Sequence, residues 1–302
     1  SSDGKRLSDH CWIQKEYIRV SKMFTGLDHL IVAVRDLNEA ENNYKKLFGT
    51  SPVWSGSHKD LGTSNSLFNF ENTYFELLSP SGNGLGADLV NYYLTKNGEG
   101  LIGMVFASND AKLVKSSLEK NGFYIEDPSI GESISSSNNQ IRKWKNLFLP
   151  AELTRGIFSF VREHTEGSLP KLKRSVDSSP HKLDHIVINT NDADGFIKIY
   201  RDIFNIRLAL DKVIERWNKR MLFFRLNHTT IEVIEQEDNL PPVDELWGLA
   251  WEVKNIEKTH QRLLGEGIEV TPIQKGVKEK TLVATIKSHT HNVPSLLIQH
   301  ME

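Results

Sequence analysis

Gly26-Leu27-Asp28-His29-Leu30-Ile31-Val32-Ala33-Val34 is matched later in the chain by Lys182-Leu183-Asp184-His185-Ile186-Val187-Ile188-Asn189-Thr190. Each copy is an apolar, β-branched run opened by Asp-His, so each reads as a buried strand. Each is followed by a helical pattern and later by a strand with a central glutamate: Tyr74-Phe75-Glu76-Leu77-Leu78 in one case, Thr230-Ile231-Glu232-Val233-Ile234 in the other. Glu76 follows His29 by 47 positions (76 − 29), and Glu232 follows His185 by the same 47 (232 − 185). A histidine and a glutamate kept at one spacing in two halves mark an internal repeat, which decides the architecture before any motif does.

The segments around these strands give the rest of the unit. Ala40, Tyr44, Leu47 and Phe48 share one face of a helix over 38–48, with Asp36 as its cap and Gly49 closing it. Strands are expected over 54–60, 64–70 and 73–78, then a Gly- and Pro-containing loop over 79–86 and a short helix over 88–96. At Gly100-Leu101-Ile102-Gly103-Met104-Val105-Phe106 the pattern restarts, with a helix over 110–121 and strands over 124–126, 140–149 and 156–163. The second half repeats the scheme: strand 183–190, helix 193–204, strands 208–215, 220–226 and 229–235, a restart over 246–253, helix 256–265, and three short strands ending at Gln299. The expected fold is α+β, with four βαβββ modules paired into two cupped mixed sheets. One domain covers 23–166 and the other 183–302, and the polar stretch 167–182, with Pro170 and Pro180, is the linker. Residues 1–22 are polar and charged and are expected to form a poorly ordered leader.

Composition narrows the function classes. A chain of 302 residues, 38% apolar and 25% charged, has room for two cores and the balance of a soluble globular protein. A net charge of −2 gives no attraction to nucleic acid or to a membrane surface. Cys11 is the only cysteine, so no internal disulfide forms and a reducing, cytoplasmic setting is the expectation. No apolar run approaches the roughly 18 residues a membrane span needs. There is no glycine-rich phosphate loop, no Cys-x-x-Cys and no serine nucleophile elbow.

The four-module pattern from about Phe24 to Gln299 resembles the vicinal oxygen chelate superfamily, which includes glyoxalase I, bleomycin-resistance proteins and extradiol dioxygenases. Trp54-Ser55-Gly56-Ser57-His58, Gly62-Thr63-Ser64-Asn65, Asn72 to Leu78, Arg142 to Asn146, and Thr154-Arg155-Gly156 look most like a glyoxalase-like branch. The resemblance implies a divalent metal (Zn, Fe(II), Mn or Ni) held in a cup by residues of the first and last strands of a module. It places His29, Glu76, His185 and Glu232 as metal ligands, with Glu76 or Glu232 also a catalytic base. Imidazole and carboxylate on neighbouring strands suit such ions and leave positions open for substrate oxygens.

The chain departs from the pattern in the partner modules. Gly103 and Gly248 stand where a second histidine would be, and Ser159-Phe160 and Ser295-Leu296 where a second carboxylate would be. Modules paired in chain order give each cup one His and one Glu. Exchanged pairing, with modules one and three in one cup, would unite all four ligands. His58 or His164 completing a first-half site is a third arrangement. The plainer reading of His29 is a core histidine bonded to Asp28 or to backbone.

Arg142, Trp144 and Asn146 share one parity on a strand and point the same way, so they are candidates to hold an anionic or aromatic ligand beside His58, Asn65 and Arg155. Trp247 and Trp251 read as core residues, and His289 and His291 alternate on an expected strand. The leading expectation is a metal-dependent glyoxalase- or dioxygenase-like enzyme (lyase, isomerase or ring-cleaving chemistry) acting on a small oxygenated metabolite. The alternative is a metal-free small-molecule sequestering protein of the bleomycin-resistance type. A homodimer is a further expectation.

Overall fold

The computed structural model describes residues 23–172 and 177–302. The leader expected over 1–22 lies outside the described residues.

The first half forms one eight-stranded sheet. Its strands are β1 (Gly26–Ala33), β2 (Trp54–His58), β3 (Thr63–Asn69), β4 (Tyr74–Pro80), β5 (Gly100–Ala107), β6 (Ser129–Ile134), β7 (Ile141–Phe148) and β8 (Phe158–Glu166), in the order β2-β3-β4-β1-β5-β8-β7-β6. Its helices are α1 (Leu37–Phe48), α2 (Leu85–Asn97), α3 (Ala111–Lys120) and the single turn α4 (Ala151–Thr154). The second half repeats the order as β10-β11-β12-β9-β13-β16-β15-β14. Those strands are β9 (Lys182–Thr190), β10 (Arg207–Ile214), β11 (Lys219–Leu226), β12 (Thr229–Glu235), β13 (Asp244–Glu252), β14 (Gln274–Lys275), β15 (Thr281–Ile286) and β16 (Ser295–His300). Helices α5 (Ala193–Ile197) and α6 (Ile256–Gly265) accompany them, and α5 continues as a wider π-helical turn over Lys198–Ile203.

Modules pair in chain order. β1 lies parallel to β4 and antiparallel to β5, and β9 lies parallel to β12 and antiparallel to β13. The exchanged pairing is thereby overturned: β1 is hydrogen-bonded on both edges within its own half, so His29–Glu76 and His185–Glu232 belong to separate sheets.

Alternation sorts the two faces of each sheet. On β4, Phe75 and Leu77 enter the main core while Tyr74 and Glu76 face the concave side. That core runs through both halves. Trp251 lies 4.3 Å from Phe70 and 5.1 Å from Phe48 by ring centroids, and Phe204 packs on Phe24 and Phe106. Trp247 differs from its expected core role: it is 53% exposed. Side-chain bonds add to the junction, with Asn72 Nδ2 donating to Leu183 O and Asn227 Nδ2 to Thr25 O.

The first sheet curls until its ends meet. Trp54 Nε1 on β2 donates to Ser133 Oγ on β6 at 2.9 Å, and the Ser136 amide donates to Ser55 O at 3.2 Å. The cup of the first half is therefore nearly a closed barrel. The strand expected over 124–126 is irregular chain instead, and β6 starts only at Ser129, after Pro128 removes a ladder donor. His289 and His291 sit in a turn with left-handed backbone (φ 69° and 51°), so they do not alternate on a strand.

Candidate functional site

A bulge in the central strand builds each site. Against β5, β1 places Leu27 opposite Phe106 and His29 opposite Val105, skipping Asp28. Against β13, β9 places Leu183 opposite Trp251 and His185 opposite Ala250, skipping Asp184. The extra residue breaks strict alternation and re-aims its side chain. Asp28 then accepts from His29 Nδ1 at 2.6 Å and from His164 Nε2 at 2.7 Å. Asp184 does the same with His185 Nδ1 at 2.7 Å and His300 Nε2 at 2.6 Å. Burial alone would raise both carboxyls, but the paired histidines outweigh it: Asp28 is held well below the usual carboxylate range and Asp184 at about 2.

The other ring nitrogen of each histidine faces the central glutamate. His29 Nε2 lies 3.5 Å from Glu76 Oε1, and His185 Nε2 lies 3.5 Å from Glu232 Oε2. The two carboxyls are poised oppositely. Burial would raise Glu76, yet His29, the 2.7 Å bond from Asn65 Nδ2 and the Arg162 charge hold it down at about 2. Burial wins at Glu232 and raises it, against a smaller pull from His185. Strand register explains the difference. Asn65 stands opposite Leu78, two places beyond Glu76, and the matching residue opposite Ile234 is Met221, which has no amide to offer.

The lining of the first cup is particular to it. Arg142 is 2% exposed, its guanidinium 4.5 Å from the Trp54 ring, 5.3 Å from Trp144 and 5.9 Å from Tyr74. Its Nε and Nη1 have no hydrogen-bond partner among the described residues. Arg162 lies 4.1 Å over Trp144, donates from Nε to Asn146 Oδ1 at 2.9 Å and from Nη1 to the Tyr74 hydroxyl at 3.0 Å. Tyr74 stacks on His29 at 4.4 Å, and Phe160 meets His29 edge-on at 6.1 Å. His58 sits at the margin, 3.4 Å from Thr63 Oγ1. Burial lowers its pKa, with Arg162 and Arg142 adding to the shift and Glu76 opposing it. In the second sheet the register puts Leu210 for Trp54, Thr230 for Tyr74, Thr281 for Trp144, Val283 for Asn146 and Ile298 for Arg162. Only the Asp-His-His-Glu frame is common to both cups.

The places of further ligands are filled. A Cβ on Gly103 would fall 2.9 Å from Ile31, and one on Gly248 would fall 2.7 Å from the Pro294 carbonyl oxygen. His164 does not complete the first site either: its Nε2 is bonded to Asp28, away from Glu76. A second group, Asp184, Glu252 and His300, has ligand atoms within 4.8 Å of one another, but these already bond to each other and to Lys182.

Arg155, expected to bind substrate, does not reach the cup. It donates two bonds to the Asp244 carboxylate, at 3.0 and 2.7 Å, and two to Asp192, at 2.8 Å to its carboxylate and 3.1 Å to its carbonyl, clamping the β7–β8 connection onto the second half. Its position in a tight turn with left-handed backbone aims it across the junction. Asn146 reaches the cup through Arg162 rather than directly. Sequence patterning does not single out Arg162, Tyr74 or His300; a histidine near the end of the last strand of both halves is the signal for His164 and His300.

A family model described as a glyoxalase-like domain matches residues 27–204, and one described as the Glyoxalase/Bleomycin resistance protein/Dioxygenase superfamily matches residues 184–285. No curated protein matches the chain. Among solved structures, a mutant of 4-hydroxymandelate synthase from Streptomyces coelicolor superposes with TM-score 0.65 at 14% identity, covering 91% of this chain and 92% of that one. The Mn(II)-bound glyoxalase from Novosphingobium aromaticivorans superposes with TM-score 0.61 at 15% identity, covering 92% and 83%. A hypothetical protein from Staphylococcus aureus gives 0.61 at 13% identity, covering 90% and 98%. At these identities the likeness is one of fold. Among the described residues, no helix is long and apolar enough to cross a membrane.

Proposed function

The chain belongs to the glyoxalase-like family of the Glyoxalase/Bleomycin resistance protein/Dioxygenase superfamily, and on that premise we propose that it is a metal-assisted enzyme acting on a small oxygenated molecule in the cup of its first half. The observation that carries this is His29 Nε2. It is buried, makes no hydrogen bond, and faces Glu76 Oε1 at 3.5 Å while Nδ1 is tied to Asp28. With Nδ1 engaged by Asp28, Nε2 is the ring nitrogen left to face the Glu76 carboxylate, and an imidazole nitrogen and a carboxylate oxygen set this way can hold a cation between them. Metal-ligating histidines characteristically give their other N–H to a carboxylate in this way.

The donor pair thus fits a divalent ion, which His29 and Glu76 would hold. Such an ion supplies Lewis acidity toward an oxygen of the bound molecule. The rest is the work of the chain. Asp28 selects the His29 tautomer, Tyr74 fixes the ring plane by stacking, and Asn65 orients Glu76 and keeps it ionised. The β2–β6 seam screens the cup from water. The second cup lacks the amide and has Ile298 in place of Arg162, its nearby cation being Lys278 instead, so we assign the working site to the first.

Elemental analysis after anaerobic supply of Fe(II), Mn, Ni or Zn tests this. About one equivalent is expected in the parent and in His185→Ala, and none in His29→Ala, because a site with two protein donors does not survive losing one. A parent that retains no metal overturns the reading. It would favour the metal-free sequestering protein, which the filled positions at Gly103 and Phe160 already support as second choice.

A further inference from the structure

We infer that the first cup takes a molecule carrying a carboxylate, and that Arg142 is the group that receives it. This rests on the first cup being the ligand site and goes on to name what it binds. Arg142 is the least expected residue of the barrel: a guanidinium 2% exposed, whose Nε and Nη1 meet no acceptor among the described residues. A buried cation without a hydrogen-bonded anion is costly, and structures keep one where a ligand completes it. The guanidinium lies over the Trp54 and Trp144 rings, and its Nε and Nη1 stay available for an acceptor.

The surrounding charges point the same way. Arg162 is satisfied by Asn146 and by the Tyr74 hydroxyl, so it contributes field more than vacant donors. The carboxylate on this face, Glu76, is engaged by Asn65 and faces His29. The other carboxylate of the cup, Asp28, is committed to His29 and His164, so neither carboxylate serves as an acceptor for Arg142 Nε or Nη1. The second cup has Ile298 at the Arg162 position, and this inference assigns it no such ligand. The walls, Trp54, Tyr74, Trp144 and Phe160, are flat and apolar, which suits a planar carboxylate better than a tetrahedral oxyanion.

Calorimetric titration of the full chain with benzoate, benzamide and inorganic phosphate tests this. Benzamide has the shape of benzoate without its charge. Benzoate is expected to bind at least about tenfold more tightly than benzamide or phosphate, the scale of a charge-assisted hydrogen bond in a dry site. Arg142→Met should abolish that preference, with near-UV circular dichroism reporting whether the variant keeps its packing. If it does not fold, the comparison of benzoate with benzamide on the parent still decides. Equal binding of benzoate and benzamide, equal binding of benzoate and phosphate, or no benzoate binding at all would each overturn the inference and leave the metal reading to its own test. The titration is repeated after chelation. Benzoate binding that persists supports Arg142 as the receiver whatever the metal content, whereas binding lost with the metal puts the carboxylate on the ion and overturns the assignment.

Discussion

His29 donates from Nδ1 to Asp28, the residue directly before it, at 2.6 Å. Consecutive residues on a regular strand point to opposite faces, so this bond exists only because β1 bulges at Asp28. The same bulge recurs at Asp184. The duplicated Asp-His dipeptide is therefore a duplicated backbone irregularity, and it sets the tautomer of the candidate ligand.

Asp28→Asn should weaken metal binding by about 10–100-fold, the usual consequence of losing a carboxylate that orients a ligating histidine. Asp184→Asn should leave it unchanged. Metal dissociation constants of the two variants decide. Equal weakening in both would mean that the halves share one site, contrary to the separate sheets.

Arg155→Met is expected to destabilise the chain by about 3–5 kcal/mol in urea unfolding, because it leaves Asp244 buried without its cation. Benzoate affinity should stay within about twofold, since Arg155 lies in the interhalf junction and makes no contact with the cup. A variant of unchanged stability that no longer binds benzoate would return Arg155 to the ligand site.

The fold is legible in the sequence where a local pattern determines the outcome. The alternation around Glu76, the amphipathic face Ala40-Tyr44-Leu47-Phe48 and the Asp36 cap, which accepts from the Glu39 amide, each need only their own segment. The candidate site was legible to the same depth: His29, Asn65, Glu76, Arg142 and Trp144 all face the first cup. Arg155 was not legible, because its partners lie 37 and 89 positions away across a turn with left-handed backbone. Arg162 was hidden in a strand whose parity also carries Phe160, and the closure of β2 on β6 through Trp54 and Ser133 spans 79 positions. Tertiary contacts of that range leave no periodic trace.

Acid and base limbs of stability should separate in the second half. Asp184 is held at about 2 in the folded chain, against an ordinary value of 3.8, so the unfolded chain binds its proton first as pH falls. Its contribution is complete above pH 3.8 and is lost as pH drops toward 2. Glu232 is raised by burial, so its sign is reversed: the folded chain keeps the proton longer, and stability declines as pH rises from 4.5 through the raised value. In the chelated chain, Asp184→Asn should flatten the acid limb, while Glu232→Gln should raise stability at pH 7. Urea midpoints between about pH 2 and 8 check both. A Glu232→Gln variant less stable than the parent at pH 7 would show that its carboxylate is favourably paired.

Gly103 holds the position that matches His29, but any side chain there meets Ile31 at 2.9 Å. Gly103→His alone should therefore destabilise by about 1–3 kcal/mol through overpacking and gain no metal affinity. Pairing it with Ile31→Gly removes the Ile31 Cβ as well as the carbons beyond it, and so clears the space on the facing strand. The double variant should bind a divalent ion at least about tenfold more tightly than the parent, as a third protein donor joins His29 and Glu76. Calorimetric titration with Zn(II) distinguishes the outcomes. A folded double variant with parental affinity would mean that the β5 position does not look onto the His29–Glu76 pair, and the geometric basis for a metal in this cup would fall with it.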